Sequence, residues 1–325
     1  MTLPRRRFLR IVAGATAFAA TSRLEAAEPY PVRPVRVVVG FPAGAGADLA
    51  ARLTAEWLSE RMGQPFVVEN RPGAAGNVGA ELVARAARDG YTLLLINSSN
   101  AINATLYDNL NFNLIRDIAP VAGVFRGPFV MVVNPAFPAK SLVEFIADAK
   151  ASPGKINMAS PGIGTTPHLA GELLNMMAGI NVIHVPYRGT GPAITDLLAG
   201  RVQMTFASML SATEYVRQGQ LRALAVTSST RWDALPDLPT VADVLPGYEA
   251  SAWFVVGAPA GTSAAIVDTL NSQINAGLAD PTMKARVADL GGMVLPGAPA
   301  EFAKLIADET DKWGRVVKAA GIKAG

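Results

Sequence analysis

"VVVGFPAGAGADLAARL", residues 37–53, decides the fold class. Three consecutive valines read as a buried strand. Gly40 to Gly46 reads as a turn in which Gly44 and Gly46 allow positive φ and close backbone approach. From Asp48 a helix begins, with Leu49, Leu53, Trp57 and Leu58 on one face and a stop near Gly63. The same design returns in "KINMASPGIGTTPHLAGELL", residues 155–174: a strand, a Gly-rich turn, and a helix opened by Thr166-Pro167 with Leu169, Leu173 and Met177 inward.

The alternation continues on both sides of these stretches. "QPFVVEN", "GYTLLLI", residues 119–125 and residues 129–134 read as strands, with a helix from about residue 76 to 88. Ser141 and Glu144 form a capping box for the next helix. "NVIHVPY", "VQMTFAS", "LRALAVTS" and "SAWFVVGAP" are further strands. Between them lie a helix from Gly191-Pro192 to Gly200 and another capped by Ser211 with Glu214. Three helices from Ser263, Asp280-Pro281 and Pro299 close the chain. Such alternation predicts an α/β protein of two domains, each a mostly parallel sheet flanked by helices. The expected partition is 28–126 plus 250–325 for one domain and 127–249 for the other, with two chain crossings as a hinge.

Composition narrows the function. The 325 residues include no cysteine, so thiolate chemistry and disulfides are excluded, and the two histidines, His168 and His184, are too few for a histidine-rich metal site. The opening "PRRRFLRIVAGATAFAATSRLEAAEP" combines a basic start, a short apolar run and small residues near Ala26-Ala27. It reads as an export signal over residues 1–27, twin-arginine-like in Arg5-Arg6, with Pro4 where Ser or Thr is usual. Without that segment 24 basic and 25 acidic residues remain, so the formal +3 becomes about −1. The basic pI of about 9.2 therefore describes mainly the signal, and no nucleic-acid footprint remains. No later apolar run is long enough to span a bilayer.

The chemistry follows from the turns. The first N–H groups of a helix lack internal acceptors, and the helix dipole adds partial positive charge there. Such a terminus holds an anion without a cationic side chain. Between Lys155 and Glu172 there is no carboxylate, ammonium or guanidinium side chain, only hydroxyls and open amides around Ser160, Gly162, Gly164, Thr165 and Thr166. That turn suits a carboxylate. Gly44-x-Gly46-x-x-Leu49 lacks the third glycine of a dinucleotide fingerprint, and no P-loop lysine follows. Ser160 with His168 is the only candidate for a serine hydrolase, but Ala159-Ser160-Pro161-Gly162 is not a nucleophile elbow. His184, Trp253 and Phe254 read as core residues, and Asp48 as a helix-terminal cap.

"FPAGAGAD", "VVENRPGAAGNVGAELVARAARDGYTLLL", "SPGIGTTPHLAGELL", "VPYRGTGPAITDLLAGRVQMTF" and "GQLRALAVTSSTR" together resemble the tripartite tricarboxylate transporter receptors, the Bug solute-binding proteins. The resemblance covers the whole chain after the signal. It implies a type II periplasmic-binding-protein (Venus flytrap) fold that closes on a small organic carboxylate or amino acid, without catalysis or cofactor. It places in the pocket Phe41, Gly44, Ala45, Gly46 and Ala47; Ser98, Ser99 and Asn100; Ser160, Gly162, Gly164, Thr165 and Thr166; Tyr187 and Gly189; and Ala207. Ala45 replaces a glycine common in the family. Ala207 stands where relatives often carry an Asp, which favours an acid without an amine over an amino acid. The implied setting is the periplasm. The implied partners are a membrane permease of the tripartite tricarboxylate type or a sensor kinase, and the implied state is a monomer.

Overall fold

The computed structural model describes residues 29–233 and 235–324. The proposed export signal lies outside the described residues. The chain divides into a unit ending at Val32, of which Pro29–Val32 are described and carry neither helix nor strand, and a compact unit from Arg33 onward.

In the large unit the chain runs β1 (Val35–Val39), α1 (Gly46–Met62), β2 (Phe66–Asn70), α2 (Asn77–Ala84), β3 (Thr92–Asn97), α3 (Ser98–Leu106) and a short α4 (Leu114–Asp117). A strand of 16 residues, β4 (Ile118–Val133), follows. Next come α5 (Leu142–Ala151), β5 (Asn157–Ser160), α6 (Thr166–Ala178), β6 (Ile183–Pro186), α7 (Thr190–Leu198), β7 (Met204–Ser208), α8 (Met209–Arg217) and β8 (Arg222–Val226). The chain ends with β9 (Ser251–Pro259), α9 (Ala264–Ala279), α10 (Pro281–Asp289), β10 (Met293–Val294) and α11 (Pro299–Ala320).

The sheet order is β2-β1-β3-β9-β4-β7-β5-β6, with β8 and β10 also on β4. β1 pairs in parallel with β2 and β3, and β5 with β6 and β7, each reached through a helical crossover. The α/β architecture expected from the alternation is present, but the sheet is mixed. β9 runs antiparallel to β3 and β4, and β4 antiparallel to β7 and β8. The expected strands at 119–125 and 129–134 are one continuous strand. Gly127-Pro128 lies within it, because proline keeps an extended backbone and removes only a donor. Ladder pairing changes there: Ile118 to Pro128 face β9, and Phe129 to Val133 face β7.

Helix caps also differ in detail. Ser141 accepts from Glu144 N at 3.2 Å, but Glu144 Oε2 accepts from Lys140 N rather than Ser141 N. The cap of α8 is Ser208, which accepts from Ser211 N, because β7 leads directly into the helix without an intervening loop.

α11 ties the two ends of the sheet together. Pro299 sits in its first turn, Glu301 returns to Ala298 N at 2.8 Å, and Gly321 ends it at φ 63°. Phe302 and Ile306 enter the core beside β1, β3 and β9. Trp313, Val316 and Val317 enter the core beneath β4, β5 and β7, together with Ile102 and Leu106 of α3. Close approach to α3 needs Gly314, where a Cβ would lie 2.9 Å from Thr105 Oγ1.

Where the helix passes β9, Glu309 is buried and accepts from both Trp313 Nε1 (2.8 Å) and Trp253 Nε1 (3.2 Å). Lys312 pairs with Glu309 and reaches Glu249 Oε2 at 2.9 Å. Burial alone lowers the Lys312 pKa, but the two carboxylates outweigh it and the net shift is upward. Removing Glu309 leaves two buried indole donors without an acceptor and the half-buried Lys312 ammonium with Glu249 as its one remaining carboxylate. Glu309→Ala is therefore expected to cost about 3–5 kcal/mol, and to lower the melting temperature by roughly 10 °C in a circular-dichroism melt. Exposed pairs such as Lys304–Asp308, replaced in the same way, should shift it by less than about 2 °C.

Candidate functional site

A cavity of about 450 Å³ opens where the two halves of the sheet meet. Five helices begin at its wall: α1 at Gly46 and Ala47, α3 at Ser98 and Ser99, α6 at Thr166 and Pro167, α7 at Thr190, and α8 at Met209 to Ser211. No side chain caps α1, α6 or α7, so their first amides keep free donor capacity, except at Pro167 in α6 and Pro192 in α7, which have no N–H. Among the described residues, no Asp, Glu, Lys, Arg or His lines the cavity. Its positive potential is therefore backbone potential.

β1 delivers the first turn. After Gly40 the chain bends through Gly44 at φ 80° and enters α1 with Ala45 extended. Asp48, 2% exposed, turns back to accept from Gly44 N at 2.9 Å, Arg52 Nε at 2.9 Å and Asn70 Nδ2 at 2.9 Å. Burial raises the pKa of this carboxyl, and the three donors more than reverse that, leaving it below the usual carboxylate range. Asp48 is thus fully engaged, but it holds the turn before α1 and does not cap the helix as its position in the sequence suggests. It also consumes the Gly44 amide, and the free amides of this turn are those of Gly46 and Ala47.

β5 delivers the second turn, which rests on stacked imidazoles. The His168 and His184 rings lie 3.6 Å apart at 14°. Gly164 N donates to His168 Nδ1 at 3.1 Å, and His184 Nε2 lies 2.6 Å from Ser160 Oγ. Ser160 Oγ also donates to Gly162 O and accepts from Gly162 N. Glu172 Oε1 is 3.6 Å from His168 Nε2. The turn thereby holds Thr165 and Thr166 at the cavity wall. Thr166 Oγ1 meets Ser98 Oγ of α3 at 2.8 Å.

Of the residues singled out in the sequence, Phe41, Gly44, Ala45, Gly46, Ala47, Ser98, Ser99, Thr165, Thr166 and Ala207 line the cavity. Asn100, Ser160, Gly162, Gly164, Tyr187 and Gly189 lie behind it and shape it. Asn100 Oδ1 accepts from Asn97 N in the capping box of α3, and Tyr187 donates to Asp196 Oδ2 at 2.8 Å. Gly189, at φ 114°, donates to Pro161 O and sets the start of α7, so Thr190 reaches the cavity instead. Ser160 is fully buried and its imidazole partner is His184 rather than His168. A nucleophile there could not touch a substrate.

Phe125, Phe129, Phe206 and Phe254 also line the cavity, and the sequence reading placed none of them there. Strand alternation was the available signal. It puts Trp253 and Phe254 on opposite faces of β9; both are buried, and Phe254 is on the face that also lines the cavity. Among the described residues, no three His, Asp or Glu side chains gather as a metal site, and no helix is long and apolar enough to cross a membrane.

An α/β fold that gathers several helix starts around one cavity has the architecture of a protein that binds an anionic solute. The chain belongs to the tripartite tricarboxylate transporter receptor family, whose model matches residues 50–322. These are periplasmic substrate-binding receptors, not enzymes. Protein BugT of Bordetella pertussis is 38% identical over 320 residues, covering 97% of this chain and 98% of that protein. The solved structure of R. palustris Rpa4515 with adipate superposes with a TM-score of 0.80 at 35% identity, covering 90% of this chain and 99% of that one. MatC from Rhodopseudomonas palustris with bound malate gives 0.76 at 33% identity, covering 89% and 100%.

The imidazole stack makes the second turn acid-sensitive. The His184 pKa is lowered from the ordinary 6.5 to about 4, first by burial and then by His168, against an opposing pull from Glu172. Below pH 6.5 the unfolded chain takes up a proton that the native ring refuses. Stability from this group is therefore fully present above about pH 6.5, falls as pH drops toward about 4, and is level below that. In urea titrations across this range the midpoint should decline with acid, and His184→Gln should flatten the decline. An unchanged slope in the variant would assign the acid sensitivity elsewhere.

Proposed function

We propose that this protein captures a small organic carboxylate in the cavity and hands it to a membrane permease of the tripartite tricarboxylate type. Amides at the starts of α1 and α6 receive the carboxylate, and the hydroxyls of Ser98, Ser99 and Thr166 orient it. The observation that carries this reading is the convergence of five helix starts on a cavity that no cationic side chain lines. The adipate and malate held by the two solved relatives are carboxylates as well. The permease partner follows from the family alone, and a sensor kinase served by the same closed form is the other recipient.

The two lobes are residues 28–126 plus 250–325 and residues 127–249, with α11 reaching from the first onto the core of the second. Ligand contacts made from both lobes would favour the closed arrangement. The receptor acts as a monomer in the periplasm, exported by the twin-arginine-like segment and cleaved near Ala26-Ala27. Its ligand carries no amine. An ammonium group would need a carboxylate partner, and Asp48 is already engaged by three donors while position 207 is alanine.

Gly46→Pro tests the amide assignment with little damage to the helix. Proline is favoured at the first helical position, Ala45 at φ −71°, ψ 158° already suits a following proline, and a Cβ at Gly46 would sit 3.7 Å from Phe254 Cζ. Only one donor is lost. A thermal-shift and calorimetric screen of carboxylates should first find a ligand. Gly46→Pro should then weaken it roughly 10- to 100-fold, as expected for one charge-assisted hydrogen bond. Equal affinity in the variant would remove the α1 terminus from the site, and tighter binding of an amino acid than of its deaminated analogue would overturn the assignment of an amine-free ligand.

A further inference from the structure

The distribution of donors over the cavity wall says more about the ligand than its charge. Several hydroxyls at the wall are already committed as donors. Thr165 donates to Gly162 O at 2.8 Å, Thr205 to Ala159 O at 2.8 Å, and Ser211 to Ser208 O at 3.0 Å. Ser208 Oγ accepts the Ser211 amide and caps α8. The Gly44 amide is held by Asp48. The remaining donor capacity is gathered at the linked starts of α1, α3, α6 and α7: their free amides, Ser99, and the proton left over from the Ser98–Thr166 pair, with Gly189 N on Pro161 O holding α7 against the α6 turn.

Elsewhere the wall is carbon. Phe125 and Phe254 form a tilted pair with centroids 4.7 Å apart, and the tip of the Phe254 ring lies close to Gly46 at the start of α1. Phe129, Ile194, Leu210 and Leu290 continue this surface. A carboxylate resting on the Gly46 and Ala47 amides thus has its own carbon chain directed along phenyl rings. A second carboxylate placed among them would be desolvated without a cation, at a cost of several kcal/mol. Arg188 is exposed and is not part of the lining.

We infer that the ligand is a monocarboxylate with an apolar body, aliphatic or aromatic, rather than a dicarboxylate. This rests on the carboxylate-receptor reading above and departs from the dicarboxylates held by the two solved relatives. The six-carbon pair hexanoate and adipate differs only in the far carboxylate, so it isolates the claim.

The experiment is isothermal titration calorimetry on the exported protein at pH 7.5 and constant ionic strength, with butanoate, pentanoate, hexanoate, benzoate and adipate. Affinity is expected to rise about fourfold per methylene from butanoate to hexanoate, the increment for a buried CH₂. Hexanoate and benzoate should both bind more tightly than adipate, hexanoate by 10-fold or more. Phe254→Leu should weaken benzoate several-fold more than it weakens butanoate, with the melting curve reporting that the variant is folded. Adipate binding as tightly as hexanoate, or a flat series, would overturn the apolar-body inference and leave the carboxylate receptor standing. No binding by any of the five, together with no hit in the wider carboxylate screen, would overturn both.

Discussion

The unpaired amides at the first turns of α1 and α6 are the constraint from which the rest follows. A helix start left without a side-chain cap is a cost unless something else satisfies it. In α5 and α10 the ordinary solution is present, with Ser141 and Asp280 accepting from the first turn. In α1 and α6 it is absent, and both starts sit at one cavity. Asp48 illustrates the point. It is the acidic group in the first turn of α1, and it is drawn aside by Arg52 and Asn70 and held to Gly44. The anion-attracting end is left open toward the cavity.

Bringing two such starts to one cavity needs a rigid frame that passes beneath both. β4 supplies it by pairing first with β9 and then with β7 and β8 without interruption. α11 supplies a second tie, carrying aromatic and aliphatic side chains into both cores. The Glu309–Lys312–Glu249 cluster lies where that helix meets β9, and it is satisfied by two indoles and a lysine. A buried ionic group of this kind is weak evidence for stability, but its directional bonds fix the helix in register against the strand.

Much of this was legible in the chain. "VVVGFPAGAGADLAARL" and "SPGIGTTPHL" announce strand, turn and helix through residue types that admit few other conformations, and ten of the residues chosen for the site line the cavity. What stayed hidden depends on distant partners. Gly127-Pro128 looks like a break because a local reading cannot see the ladder that carries β4 through it. Ser160 looks available because nothing nearby in sequence shows that His184 of a neighbouring strand covers it. Phe254 is buried as its sequence suggests, but an aromatic residue in a strand has the same local appearance whether it faces a helix or a cavity, so its place in the lining stays hidden.

The absence of lysine and arginine from the wall has its own physical logic. A receptor of this kind spends part of its cycle empty. A guanidinium buried in an empty apolar cavity is an uncompensated charge, costing several kcal/mol or drawing in a counter-ion that the ligand must displace. An amide is cheaper to leave bare, because water can accept its hydrogen bond while the cavity is empty. Several amides and helix dipoles converging on one point can still hold a carboxylate, since each bond to a charged group contributes on the order of 1.5–3 kcal/mol. Divided among backbone groups of separate helices, the attraction also depends on those helices keeping their relative positions. Any change in those positions weakens all of these bonds together.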